Sequence, residues 1–180
     1  MTNSLPTRPL GTSGPEITTV GFGAWAAGGG GWAFAWGPQD DADSIAAIRH
    51  AVAKGVIVYS PMQSGLLTDS FNAERVSALA PDDWRRKSPQ HQPPKLQQNL
   101  ALRDGLKPIA AKHGTSTAAI AVAWTLAWPG VTGAIVGARS PEQVDGWLPA
   151  SSLRLDGADL VAIDAAIAKT AAGFGPTAPA

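Results

Sequence analysis

The stretch Val56-Ile57-Val58-Tyr59-Ser60-Pro61-Met62-Gln63-Ser64-Gly65-Leu66-Leu67 decides the fold class of this chain. Its first four residues are β-branched or aromatic, which predicts a parallel strand covered on both faces. The segment just before it, Ala51-Val52-Ala53-Lys54-Gly55, ends in the lysine and glycine that commonly stop a helix. A helix followed at once by an apolar strand is typical of an α/β chain with parallel strands.

Upstream of this stretch the predicted elements are short. Residues 8–19 contain the turn signal Gly11-Thr12-Ser13-Gly14-Pro15 between two extended runs, which predicts a hairpin. Residues 19–23 predict a short buried strand. A helix is expected to begin at Asp40 or Asp41, because acidic side chains favour the N-terminus of a helix.

Downstream, residues 68–98 are rich in proline, charge and amide side chains, which predicts a long surface loop with at most short helical pieces. The basic run Arg85-Arg86-Lys87 in this loop predicts a solvated face. The later elements are expected to be a helix over 96–113, a helix capped by Thr115 or Ser116, a strand over 131–136 and a last helix from about Asp156. Before that last helix, Ser140-Pro141-Glu142-Gln143 has the pattern of a capping box with proline at the first helical position. We expect a single domain over residues 1–180.

Size and composition exclude several classes of protein. The chain has 180 residues, whereas a full (β/α)8 barrel typically needs about 250. The net charge is zero, which gives no indication of a nucleic-acid partner or an anionic membrane. No cysteine is present, so disulfides and thiolate metal sites are excluded. There is no apolar run of membrane-spanning length and no signal-peptide pattern, so a soluble, cytoplasmic protein is the expectation.

The step Gly137-Ala138-Arg139-Ser140 is the strongest chemical signal in the sequence. A helix N-terminus presents free N–H groups and a partial positive charge, and Arg139 adds a fixed cation. This combination predicts a phosphate site, and the alternative is an ordinary capped helix beside a solvated arginine. A second run, Gly21-Phe22-Gly23-Ala24-Trp25-Ala26, matches a loose dinucleotide fingerprint. We reject that interpretation because a glycine run follows instead of a helix.

Three motifs resemble those of the aldo/keto reductase family. The run from Ser60 to Leu67 is similar to the family's S-P-L-x-x-G-L-L, and the run from Gly137 to Gln143 is similar to its eighth strand and following helix. Gly23-Ala24-Trp25 occupies the place of the family's G-T-W. The resemblance covers two joined blocks. Residues 1–56 correspond to the hairpin, first strand and first helix, and residues 57–180 to the seventh strand through the eighth helix, so a large internal deletion separates them.

The resemblance implies an NADP(H) site. The residues that it assigns to this site are Gly23, Ala24, Trp25, Tyr59, Ser60, Pro61, Met62, Ser64, Gly65, Leu67, Gly137, Ala138, Arg139 and Gln143. By the same resemblance Tyr59 stacks on the nicotinamide, Arg139 pairs with the 2′-phosphate and Gln143 touches the adenosine. Ala24 replaces a threonine, and Gly146 and Trp147 replace an acid and an asparagine that the family often has. Weak NADP(H) binding is the expectation.

The catalytic residues of the family have no counterpart in the chain. Carbonyl reduction needs a proton donor and a group that holds the developing negative charge. The family uses a tyrosine helped by aspartate, lysine and histidine from strands two to four, and those strands fall in the missing segment. Tyr59 is the only tyrosine, and His50, His91 and His113 are expected to be structural or solvated. No spacing indicates a metal site, no catalytic residue is assigned, and we expect impaired reduction of aldehydes and ketones.

The predicted fold is an incomplete parallel (β/α) barrel derived from a TIM barrel, with about three parallel strands plus an N-terminal hairpin. The expected strand order is 19–23, 56–60, 131–136, because a right-handed crossover puts the second strand beside the first. Such a wedge leaves edges that a second copy could cover, which predicts a homo-oligomer. Two alternatives stay open: a reductase whose acid site is rebuilt by two or more chains or by new residues, and a non-enzymatic interaction or oligomerisation module.

Overall fold

The computed structural model describes residues 7–9, 16–18, 40–52 and 56–179. The elements in these ranges are β1 Thr7–Pro9, β2 Glu16–Thr18, α1 Asp41–Val52, β3 Val56–Tyr59, α2 Ala73–Ser77, α3 Lys95–Lys112, α4 Thr117–Leu126, β4 Val131–Ile135, α5 Pro141–Trp147 and α6 Gly157–Thr170. No helix in this part of the chain has the length and apolar character to cross a membrane. The predicted strand over 19–23 and the predicted cofactor residues Gly23, Ala24 and Trp25 lie outside the described residues.

The chain divides into two compact units. The first comprises Met1–Ile57 and Gly130–Gly133, and the second comprises Val58–Pro129 and Ala134–Ala180. The candidate site described below lies wholly in the second unit. The single domain expected over residues 1–180 stays a prediction.

The first unit contains the predicted hairpin and the start of the first helix. Strands β1 and β2 pair antiparallel, with Arg8 opposite Ile17. Helix α1 begins at the predicted place, because Asp40 Oδ1 accepts hydrogen bonds from the N–H groups of Ala42 at 2.8 Å and Asp43 at 3.1 Å. An acceptor in this position satisfies N–H groups that have no partner within the helix.

A second sheet consists of β3 and β4, which pair in parallel. Gly133 lies close to Ile57, and a Cβ on this glycine would come within 3.5 Å of Ile57 Cγ1. The strand predicted at 56–59 is confirmed, but its expected burial on both faces is wrong, since Ile57 is half-exposed and Tyr59 is 74% exposed. Apolar composition indicates a strand, but it does not reveal how many layers cover that strand. The three-stranded wedge and the incomplete barrel stay predictions.

Three helices form the main core of the second unit. The buried side chains of this core are Leu102, Leu106, Ile109, Ala110, Ile120, Ile163 and Ala172. Helices α3 and α6 approach closely at Gly105, where an added Cβ would lie 3.1 Å from Ala166 Cβ. Ser116 caps α4 as predicted, because its Oγ accepts from the N–H of Ala119 at 3.0 Å. Asp156 caps α6 at the predicted start and forms a capping box with Asp159.

The loop predicted at 68–98 is confirmed as irregular chain with short helical pieces. It contains α2 and two 3₁₀ turns, Trp84–Lys87 and Pro89–His91. The loop nevertheless has its own small core, in which Phe71 and Val76 pack with Leu66 and Leu96. Burial of these four side chains gives the loop a defined path beside the start of α3.

Candidate functional site

A cleft of about 1090 Å³ opens where the chain leaves β3 and β4. The predicted cofactor residues that line it are Tyr59, Ser60, Pro61, Met62, Ser64, Gly65, Gly137, Ala138, Arg139 and Gln143. Leu67 is not in this lining, but lines a separate apolar cavity of about 70 Å³ with core residues such as Leu102 and Ile120. The fold therefore brings two distant predicted motifs together, while their contacts with a cofactor stay a prediction.

The loop that follows β3 has an unusual backbone. Ser60, Gln63 and Ser64 have φ angles of 57°, 49° and 55°, and Gly65 has 97°. Left-handed conformations are uncommon for residues other than glycine, and such strained residues cluster at active sites and ligand clamps. The N–H of Gln63 donates to Ser60 O at 2.9 Å, and the N–H of Leu67 donates to Met62 O at 3.2 Å. These tight turns hold the backbone of the S-P-M-Q-S-G run against the cleft.

The opposite wall of the cleft carries Arg139. This side chain is exposed, and it has no ion-pair partner within the described part of the chain. The predicted capping box at Ser140 is wrong, because the Ser140 side chain accepts no hydrogen bond from the helix. Instead, Gln143 Oε1 accepts from the N–H of Arg139 at 2.7 Å, since its longer side chain reaches back over one turn. The hydrogen bond between Ser140 and Glu142 lowers the pKa of the Glu142 carboxyl.

Two carboxyl groups in the cleft, those of Asp83 and Glu142, are held in the ionised form and so have no proton to donate. Hydrogen bonds from Arg85, whose Nη2 lies 2.6 Å from Asp83 Oδ2, lower the pKa of Asp83 to about 2. Asp83 and Glu142 are therefore ionised at neutral pH. The lining described for this cleft includes one tyrosine, Tyr59, and neither lysine nor histidine. Among the residues the structure describes, no cluster of three or more potential metal ligands occurs.

The two described histidine side chains lie outside this lining. His91 is buried between the rings of Phe71 and Trp84, at centroid distances of 5.8 and 6.0 Å. His113 Nε2 lies 2.7 Å from Asp159 Oδ2 at the contact between α3 and α6. A structural or solvated role for the histidines stays a prediction.

The wall formed by loop 68–98 is the part of the cleft that sequence analysis missed. It contributes Phe71 and Trp84, the Asp83–Arg85 ion pair, and Arg75, whose guanidinium lies 6.0 Å from the centroid of the Phe71 ring. Arg85 was expected as part of a solvated face, on a loop that resembles the one that closes over substrate in the aldo/keto reductase family. The one available signal was the aromatic and basic content of the loop, and its contact with the cleft depends on long-range packing that no local pattern encodes.

Comparison with known proteins gives partial matches to one family. A sequence profile of the Aldo/keto reductase family matches residues 53–168. A probable voltage-gated potassium channel subunit beta of Oryza sativa is 31% identical over 93 residues, covering 50% of this chain and 27% of the relative. The aldo-keto reductase YhdN of Bacillus subtilis is 32% identical over 90 residues, covering 49% of this chain and 27% of the relative.

A solved structure gives a similar result. The glycerol dehydrogenase of Gluconobacter oxydans matches with a TM-score of 0.60 and 32% sequence identity, covering 72% of this chain and 38% of that protein. Across the curated relatives the chain spans between 26% and 40% of their length. This partial coverage agrees with a shortened chain.

Proposed function

Because the chain belongs to the aldo/keto reductase family, we propose that it binds NADP(H) weakly in the cleft and reduces aldehydes or ketones poorly or not at all. The observation that carries the proposal is that Tyr59 and Arg139, which are 80 positions apart in the sequence, line one cleft. An exposed aromatic ring and an unpaired guanidinium are the two groups that a nicotinamide dinucleotide phosphate would use there.

The size and lining of the cleft support this ligand. Its volume of about 1090 Å³ lies at the upper end of the range of about 300–1000 Å³ for small-molecule sites. The Tyr59 ring is 74% exposed and available for stacking. The Glu142 carboxylate also lines the cleft. Its negative charge disfavours a bound phosphate, and for this reason we propose weak rather than tight binding.

Each group has a proposed role in holding the cofactor. Tyr59 would stack on the nicotinamide ring, and the strained Ser60–Gly65 backbone would border the pyrophosphate and ribose. Arg139 would pair with the 2′-phosphate, which favours NADPH over NADH because NADH lacks that group. When bound, NADPH supplies the hydride. The chain's own residues bind and orient the cofactor.

Proton delivery is the step for which the cleft is poorly equipped. A general acid must still carry its proton at the working pH, whereas Asp83 and Glu142 have lowered pKa values. The described lining holds no lysine or histidine, and Tyr59 is committed to stacking in this proposal. A cofactor bound here would therefore lack a partner that protonates the carbonyl oxygen, and impaired turnover follows.

Tryptophan fluorescence tests the binding proposal, because Trp25 lies among the predicted cofactor residues, and Trp84 and Trp147 line the cleft. Titration with NADPH should quench the emission saturably, and titration with NADH should quench it less at equal concentration. Calorimetric titration of the same samples separates binding from simple light absorption by the nucleotide. Absence of saturable binding by both nucleotides would refute the proposal.

A second candidate function is an interaction or oligomerisation module. The observation in its favour is that Ile135 is 62% exposed near the end of β4, close to the exposed Tyr59. A second copy covering these side chains would form a homo-oligomer, and in that arrangement two chains could also rebuild an acid site. A monomer in solution at micromolar concentration would count against this candidate. The cytoplasmic location stays a prediction.

A further inference from the structure

His91 occupies an environment that leaves its ring without hydrogen bonds. The residue is 1% exposed, and neither Nδ1 nor Nε2 has a hydrogen-bond partner among the residues that the structure describes. The edges and faces of Phe71 and Trp84 surround it in T-shaped contacts. A neutral imidazole has one donor and one acceptor, and buried polar groups of this kind are normally paired. Leaving the polar nitrogens of a buried ring unpaired costs free energy in the closed structure.

The side-chain hydrogen bonds that tie the segment containing His91 to its neighbours include an exposed one to Leu79 O and a partly buried pair from Asn99. Arg86 Nη1 donates to Leu79 O at 3.2 Å, and Gln92 Nε2 donates to Arg86 O at 2.5 Å. On the α3 side, Asn99 Nδ2 donates to Gln90 O at 3.1 Å. Short 3₁₀ turns with exposed hydrogen bonds belong to the low-stability end of a structure, where local opening occurs without global unfolding.

We propose that protonation of His91 releases the segment Trp84–His91 from α3, and that this wall of the cleft is a pH-sensitive switch. Among the described residues the closed pocket offers the imidazolium no hydrogen-bond acceptor, so the protonated ring gains solvation by leaving it. Opening would move Trp84 and Arg85, which line the cleft. The inference holds whether or not the cleft binds NADP(H).

The direction of the switch follows from linkage. Burial lowers the pKa of His91, the nearby Arg85 lowers it further, and Asp83 partly opposes them. The open segment has an ordinary histidine pKa of about 6.5, so below that pH the open form binds more protons than the closed form. Opening is therefore suppressed above pH 6.5 and becomes more frequent as the pH falls from 7.5 to 5.5, by up to about tenfold.

Other charged groups around the pocket are basic side chains and carboxyl groups of lowered pKa. In and beside the 3₁₀ turn Trp84–Lys87, the charged groups are Arg85 and Asp83, and the pKa of Asp83 is about 2. Arg75 lies against Phe71, and on α3 Arg103 donates to Phe71 O and pairs with Asp104. Lys107 and Arg103 hold the pKa of Asp104 below its usual value, and Lys95 donates to Ala171 O. Within this neighbourhood His91 is the group that changes charge between pH 7.5 and 5.5.

Hydrogen exchange of the full chain tests the switch. We expect amides of residues 84–92 to lose protection, by up to about tenfold, between pH 7.5 and 5.5 after correction for intrinsic exchange, while amides of α4 change little. The loss should disappear in His91→Gln and persist in the control His113→Gln. Unchanged protection in the wild-type chain, or an equal loss in His91→Gln, would overturn the proposal.

A measurement on the unmodified chain covers the case in which His91→Gln fails to fold. Only three histidines are present, so NMR titration of their ring C–H signals resolves each pKa. We expect one ring to titrate below pH 6.5 in step with shifts of the Trp84 indole signal. If all three rings titrate at or above the ordinary value, the proposal is wrong.

Discussion

Thr117 and Asp69 are joined by two hydrogen bonds, from Thr117 Oγ1 to Asp69 Oδ1 at 3.0 Å and from the Thr117 N–H to Asp69 Oδ2 at 3.1 Å. The same hydroxyl also lies 2.9 Å from Leu67 O. Thr117 is fully buried at the first position of α4. One side chain therefore fastens the strained loop after β3 to a helix N-terminus, where the carboxylate also complements the helix dipole.

Thr117→Val removes this attachment while keeping the shape of the side chain. It leaves Leu67 O and Asp69 without their hydroxyl partner, so we expect the free energy of unfolding to fall by about 1–3 kcal/mol. Urea denaturation measures the loss. The control is Thr125→Val on the same helix, whose hydroxyl bonds only to Ala121 O one turn away. An equal effect from both substitutions would argue against the attachment.

Arg139→Ala tests the phosphate contact. Removing a charge-assisted hydrogen bond should weaken NADPH binding by about tenfold to a hundredfold and leave NADH binding nearly unchanged. Calorimetric titration of both nucleotides gives the two affinities. Arg154→Ala is the control, because Arg154 is exposed and does not line the cleft. Equal losses for NADPH and NADH would contradict a 2′-phosphate contact.

Tyr59 distinguishes stacking from proton donation. Tyr59→Phe keeps the ring and should preserve NADPH affinity, whereas Tyr59→Ala should weaken it by roughly fivefold or more. Neither change should alter stability strongly, since the side chain is 74% exposed. Turnover of 4-nitrobenzaldehyde that is present in the wild type and lost in Tyr59→Phe would instead identify this hydroxyl as an acid and favour the rebuilt-reductase alternative.

Asp159 links the stability of the second unit to pH. Burial raises the pKa of its carboxyl, but hydrogen bonds from Lys112, the Asp156 backbone and His113 outweigh burial and lower it to about 2. A depressed pKa contributes stability above the unfolded value of about 3.9, and this contribution is lost as the pH falls towards 2. We expect a loss of about 2 kcal/mol over that interval, measured by urea unfolding.

The substitution Asp159→Asn should lower stability at neutral pH by about 3–5 kcal/mol, because Lys112 and His113 lose a buried partner. Asp164→Asn on the same helix is the control, since Asp164 forms no ion pair within the described residues. If the free energy of unfolding falls between pH 4 and 2 by the same amount in Asp159→Asn and in the wild type, then other carboxyl groups cause the loss.

Much of the local structure was predictable because its signals are local. The caps at Asp40, Ser116 and Asp156 lie within three residues of the N–H groups that they serve, and each was predicted at or next to its observed position. The cap at Ser140 was wrong for a physical reason of the same kind. Serine, glutamate and glutamine all compete for the same N–H groups there, and residue type alone does not decide which side chain reaches them.

The candidate site was predictable only where a motif carried it. The Ser60 and Gly137 motifs mark two walls of the cleft, and the fold brings them together. The third wall escaped prediction because Phe71, Trp84 and His91 meet through packing of a loop without periodicity. The exposure of Tyr59 was missed for a related reason, since burial depends on layers from other parts of the chain.

The central claim is that this chain binds NADPH but lacks a group that delivers the proton. The most direct test is to measure the steady-state oxidation of NADPH by the purified chain, together with its mass in solution on the same sample. The assay uses 4-nitrobenzaldehyde at saturating NADPH, after binding has been established by titration. We predict saturable binding of NADPH without saturable turnover. Brisk, saturable NADPH consumption by a monomer would contradict this account.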